Sequence, residues 1–123
     1  MLIDTDKNNK PVLPNTKDIL FVGSYDYYCR VFICEDEKLL KIETKLVLMT
    51  MKKFVDSYPK ETFLKTSRNR CTPLKNIQDV WIRKDFIVVH SKCYMPLVIA
   101  RRRVKKVLEL LDKASQKIKV VRI

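Results

Sequence analysis

Apolar residues in this chain fall mostly in short runs with the length and alternation of β-strands, and the rhythm changes to that of a helix only twice. Such a chain has to bury the faces of sheets and can spend only two amphipathic helices on covering them. Strand-like runs rich in aromatic and branched residues lie at 18–22 and 27–34, with Gly23-Ser24-Tyr25-Asp26 as the bend between them. A polar tip at 35–38 leads to a further strand at 39–43. The first helical stretch is 45–58, where Val47, Met51, Phe54 and Tyr58 recur at offsets of four, three and four, and Pro59 stops it. Extended segments follow at 63–66, at 80–83 and 86–91 around an Arg83-Lys84-Asp85 turn, and at 94–98, where Pro96 implies a sheet edge. The second helix is expected over 98–113, with Val104, Val107, Leu108 and Leu111 on one face, and 118–123 alternates weakly as a last strand. Residues 2–14 read as a weak hairpin about Lys7-Asn8-Asn9-Lys10 that Pro11 and Pro14 confine to an edge.

At 123 residues the chain is expected to form a single domain, 1–123, with a core that needs neither disulfides nor metal. Eleven aromatics and recurrent apolar residues argue against disorder. The longest apolar runs are too short to span a bilayer, and Met1-Leu2-Ile3-Asp4-Thr5-Asp6-Lys7 lacks a secretory pattern, so a cytoplasmic protein is expected. Cys29, Cys34, Cys71 and Cys93 form no Cys-x-x-Cys pair, and His90 stands at no ligand spacing from them, so no metal site is expected. The same scarcity of paired nucleophile and base argues against an enzyme. Gly23 is the only glycine, which excludes a glycine-rich phosphate loop and the cofactors it serves.

Charge is the strongest functional signal. Residues 1–59 hold nine basic and nine acidic side chains, whereas 60–123 hold 17 basic against five acidic, which is the entire net charge of +12. Two knots concentrate it, Lys65-Thr66-Ser67-Arg68-Asn69-Arg70 and Arg101-Arg102-Arg103-Val104-Lys105-Lys106. A neutral packing half joined to a basic half is built to sit on a polyanion. The second knot opens a helix, where the macrodipole disfavours cations by a few tenths of a kcal/mol each. Arginines beside exposed N-terminal N–H groups make physical sense if phosphates bind there.

Three pieces in this order resemble the LytTR family of bacterial DNA-binding domains. They are Asp18-Ile19-Leu20-Phe21 with the segment 25–30 after it; Phe63-Leu64-Lys65-Thr66-Ser67-Arg68-Asn69 continuing into Thr72-Pro73-Leu74-Lys75-Asn76-Ile77; and Ile99-Ala100-Arg101-Arg102-Arg103-Val104-Lys105-Lys106-Val107-Leu108. The similarity spans about residues 12–112. It implies a mainly β (α+β) fold of small antiparallel sheets stacked side by side, with one mid-chain amphipathic helix and a C-terminal helix. It also implies loops that read duplex DNA in successive major grooves: the first presenting Tyr28, Cys29 and Arg30, the middle Ser67, Arg68 and Asn69, and the third Arg101 and Arg102 with Arg103, Lys105 and Lys106 nearby. The chain departs from the family pattern at Ser67, Pro73, Ala100 and Ser91-Lys92, so its base preference is its own. Family members usually follow a phosphoacceptor domain or a membrane sensor. No receiver or sensor domain is expected within these residues, which read as a free-standing regulator or a piece of a longer one.

Arginine can hold guanine O6 and N7 together, so Arg30 and Arg102 are the direct-readout candidates. Arg68, Arg70, Arg101, Lys105 and Lys106 suit phosphates, which set register. Tyr27 and Tyr28 rank below them, since such rings more often pack than read. The expected partners are double-stranded DNA and a second copy of the chain on repeated sites, with no membrane, small-molecule substrate, cofactor or metal. Competing readings are an RNA-binding or ribosome-associated module, in which strand aromatics stack on unpaired bases, and an interaction module for an acidic protein.

Overall fold

The computed structural model describes residues 2–34, 41–83, 86–91, 96–113 and 118–122. Among the described residues, nine strands form two sheets. In the first, β1 (Ile19–Tyr25), β2 (Tyr28–Ile33), β3 (Glu43–Val47), β4 (Phe63–Ser67) and β5 (Arg70–Pro73) take the order β3-β2-β1-β5-β4. In the second, β6 (Ile77–Ile82), β7 (Ile87–Ser91), β8 (Pro96–Val98) and β9 (Lys119–Arg122) take the order β8-β7-β6-β9. Pairing is antiparallel except between β6 and β9, which run parallel. Two helices, α1 (Met51–Asp56) and α2 (Val104–Lys113), complete the mainly β architecture expected from the sequence.

The first sheet buries one face against the first core and, at its β4–β5 end, part of the other, where Leu64 and its register partner Thr72 are fully buried. The first core gathers Ile19, Val22, Cys29, Val31, Ile33, Val47 and Cys71 from the strands beneath Met51 and Phe54 of α1. The second gathers Val80, Ile87, Val89 and Ile99 beneath Val107 of α2. Strand β4 joins them through its alternation: Phe63 packs against the first core and Leu64 lies in the second. Polar ties reinforce the seam. Asn76 Nδ2 donates to the carbonyls of Thr16 and Ile19 at 2.8 and 2.7 Å, and Ala100 N–H donates to Thr66 C=O at 2.9 Å.

Several element boundaries differ from the sequence reading. The bend expected at 23–26 is a two-residue turn, Asp26-Tyr27, and Gly23 sits inside β1. Asp26 takes the left-handed backbone (φ 39°) that aspartate tolerates, so no glycine is needed. Of the strand expected at 39–43, residues 39–40 fall outside the described residues; β3 runs over Glu43–Val47, where its pairing with β2 sets Val47 opposite Cys29. The helix expected from residue 45 begins only at Met51, where the Thr50 hydroxyl caps it by accepting from Lys53 N–H at 3.2 Å. Val47, Met51, Phe54 and Tyr58 all reach the first core as their spacing implied, but Val47 does so from a strand. Helix α2 likewise starts at Val104, with Arg101–Arg103 as a 3-10 turn before it. The hairpin at 2–14 keeps its turn, with Asn9 at φ 59°, but its arms reduce to isolated bridges. Pro96 does lie on an edge strand. The polar tip at 35–38, the Lys84-Asp85 turn and Cys93 fall outside the described residues.

Candidate nucleic-acid interface

The two basic knots converge because of this topology. The first forms the end of β4, the Arg68-Asn69 turn and the start of β5. The second forms the 3-10 turn and the first turn of α2, and the Ala100–Thr66 hydrogen bond holds it against β4. Between them lies an open recess lined by Lys65, Arg68, Arg102, Arg103 and Lys106, with no carboxylate among the described residues of its wall. The ion pairs found among the described residues are Lys41–Glu43 and Asp79–His90, neither of which involves these cations. Lys65 registers the crowding: partial burial, then the charges of Arg103, Arg68 and Lys106, lower its pKa against a weaker opposing effect of Cys71. The first turn of α2 carries no acidic residue that would complement the positive end of the helix dipole. Chemically, such a cluster of cations suits an anion with several oxygens.

Next to the recess is the open face of the first sheet. Ser24 N–H donates to Asn69 C=O at 2.7 Å, which ties the end of β1 to the 68–69 turn. Gly23 is the register partner of both Arg30 on β2 and Arg70 on β5, so the two arginines flank it on the face turned away from the core. Each guanidinium rests on a ring of β1: Arg30 lies 4.7 Å from the Tyr25 ring centre and Arg70 lies 5.8 Å from that of Phe21. The rings are themselves stacked across to β2, Tyr25 on Tyr28 at 5.6 Å and Phe21 on Phe32 at 4.2 Å.

Of the expected site residues, the recess therefore unites Arg68, Arg102, Arg103 and Lys106, and the sheet face carries Tyr28, Arg30 and Arg70. Arg101 and Lys105 are exposed beside the recess without lining it, and Ser67 and Asn69 flank the turn, where Ser67 Oγ accepts from Asn69 N–H at 3.4 Å. Tyr27, at the turn tip, is 89% exposed. Cys29 is a correction. It is fully buried on β2 opposite Val47, and burial pushes its thiol up to about 11, so it packs the core and presents nothing to a ligand. The family resemblance implied a loop at 28–30, whereas the residue pattern read 27–34 as a strand; the structure places them on β2, and alternation sends Cys29 inward. Two residues of this arrangement were not among the candidates. Lys65 sits inside the first knot, and its charge there was the available signal. Tyr25, whose ring faces Arg30, lay in the 25–30 segment of the family resemblance but was not singled out within it.

No protein-family model matches the sequence, and no curated protein sequence matches it either. Among solved structures the chain resembles a LytTr DNA-binding domain from a Bacillus cereus protein described as a methyl-accepting/DNA response regulator, with a TM-score of 0.66 at 11% identity over 87% of this chain and 93% of that one. The chain has the fold of the LytTr DNA-binding domains.

Proposed function

We propose that this chain binds double-stranded DNA as a transcription regulator, contacting phosphates through the basic recess and base edges in the major groove through side chains beside it, and carrying out no chemistry on the nucleic acid. The observation that carries the reading is the five-cation wall of Lys65, Arg68, Arg102, Arg103 and Lys106, contributed by two separate basic segments and free of carboxylates among the described residues. Like charges are brought together against their own repulsion, which a bound polyanion offsets. The likeness in fold to a protein titled a DNA-binding domain supports the same partner. The flanking aromatics do not favour unpaired RNA, because their faces are engaged by one another and by arginines within the sheet.

The test is affinity for a random duplex of about 30 base pairs against salt, with Arg68→Ala and Arg102→Ala beside the wild type. Log affinity should fall linearly with log salt, by about 0.9 per contacted phosphate, and both variants should bind more weakly. Absence of binding at about 50 mM salt, or displacement of the duplex by single-stranded RNA of equal length, would overturn the reading.

A further inference from the structure

We infer that Arg30 is the base-reading arginine of this interface, aimed by Tyr25 as a positioning residue, whereas Arg102 serves phosphates in the recess; the inference rests on the DNA-binding reading above. Reading a guanine edge needs a planar fork held in one orientation before contact, since two parallel hydrogen bonds tolerate little misplacement. A phosphate contact requires charge in the right region and far less geometry. The two expected readers differ in this respect. Arg102 enters from a 3-10 turn into a wall of like charges, and no aromatic ring contacts its guanidinium among the described residues.

Arg30 stands on the second strand of a five-stranded sheet, and its guanidinium carbon lies 4.7 Å from the centre of the Tyr25 ring. That ring is braced from β2 by Tyr28, nearly parallel to it at 13°. The Nε of Arg30 is enclosed and has no hydrogen-bond acceptor, so its orientation comes from the ring and not from a polar partner. Arg70, the other arginine beside Gly23, lies 5.8 Å from its ring, close to the limit of about 6 Å for such attraction.

Gly23 completes the device. A Cβ at this position would stand 3.2 Å from Cε2 of Tyr25, closer than ordinary contact, so the only glycine of the chain leaves room for the ring that orients Arg30. Its φ is not positive, so the requirement is for space and not for backbone freedom. Tyr25 is 42% exposed and can swing aside, so Gly23→Ala should displace the ring without unfolding the sheet.

The experiment begins by selecting a preferred duplex from a random library with the wild type. Affinity is then measured for that duplex and for single-base variants of it, for wild type, Arg30→Ala, Tyr25→Leu, Tyr25→Phe, Gly23→Ala and the double variant Arg30→Ala/Tyr25→Leu. Arg30→Ala should erase discrimination at one guanine by about 5- to 100-fold. Tyr25→Leu should weaken discrimination at the same base pair by about two- to fivefold, and Tyr25→Phe, which keeps the ring, should restore it. Gly23→Ala should act like Tyr25→Leu with its thermal midpoint preserved, and the double variant should be no worse than Arg30→Ala alone. The salt slope should stay at its wild-type value in the Tyr25 variants, whereas Arg102→Ala should lower it with discrimination intact. The inference is overturned if Tyr25→Leu leaves discrimination unchanged, if its effect adds in full to that of Arg30→Ala, or if no preferred duplex emerges while salt-dependent binding persists. If the wild type binds no duplex at all, the DNA reading falls and the inference falls with it.

Discussion

Removing one charge from the basic recess should make the free protein more stable and its complex with DNA weaker. Arg103→Gln is the informative change, because Arg103 lines the recess with four other cations and is the charge that most lowers the pKa of Lys65. Two like charges about 8 Å apart repel by about 0.5 kcal/mol in water, and salt near 0.1 M reduces this to about 0.2 kcal/mol. Four such neighbours sum to about 1 kcal/mol, which for a chain of this size raises the unfolding midpoint by about 4 °C. The gain should shrink as salt is added, since the repulsion it relieves is screened. Binding should move the opposite way. A lost phosphate contact makes the salt slope shallower by about 0.9, which at about 0.1 M salt is a factor of about eight in affinity. Thermal unfolding at two salt concentrations and a salt titration of duplex binding read both quantities, with Arg122→Gln, on exposed β9 away from the recess, as the control. A lower midpoint for Arg103→Gln would mean that its charge serves the fold. An unchanged slope would mean that the recess does not meet phosphate.

Two further predictions concern what holds the scaffold. Asn76→Ala removes donors to the Thr16 and Ile19 carbonyls and should destabilise the protein by about 1–3 kcal/mol in denaturant unfolding, because the part-buried Ile19 carbonyl loses this donor and Thr16 keeps only the Ile19 N–H. Burial pushes the Cys71 thiol from 9.0 up to about 12, so the native state keeps a proton that the unfolded chain loses. That contribution is fully present below pH 9 and is lost as pH rises toward about 12, at up to about 1.4 kcal/mol per pH unit; unfolding free energy measured against pH should fall less steeply in Cys71→Ala.

The sequence showed more about which residues would be buried than about the elements that would bury them. Val47, Met51, Phe54 and Tyr58 were legible as one stripe because apolar spacing reports a shared face. The sequence could not show that Val47 reaches that face from a strand, since the pairing with Cys29 is a long-range contact that overrides local period. The same limit explains the site. Two basic knots were visible as charge, and they meet because β4 pairs with β5 and Ala100 bonds to Thr66, both of them consequences of topology. Cys29 was misplaced because the family resemblance carried 28–30 over as a loop, although the residues themselves read as a strand over 27–34 and the chain makes a two-residue turn at Asp26-Tyr27 before it. In a strand, register decides which face a side chain serves.

That dependence on register separates the two parts of the interface. Apart from Lys65 on β4, the recess is built from charge carried on a turn, a 3-10 segment and a helix start, so a lysine for an arginine there preserves most of what a phosphate senses. The sheet face is built from alternation: Gly23, Tyr25, Tyr28 and Arg30 share it only because the 26–27 turn holds Tyr25 opposite Tyr28. Lengthening that turn by one residue would send Arg30 toward the core and Cys29 toward solvent while leaving every charge in the recess in place. General affinity for a polyanion would then survive and discrimination among sequences would not, which is the separation expected when position and charge are supplied by different elements of one fold.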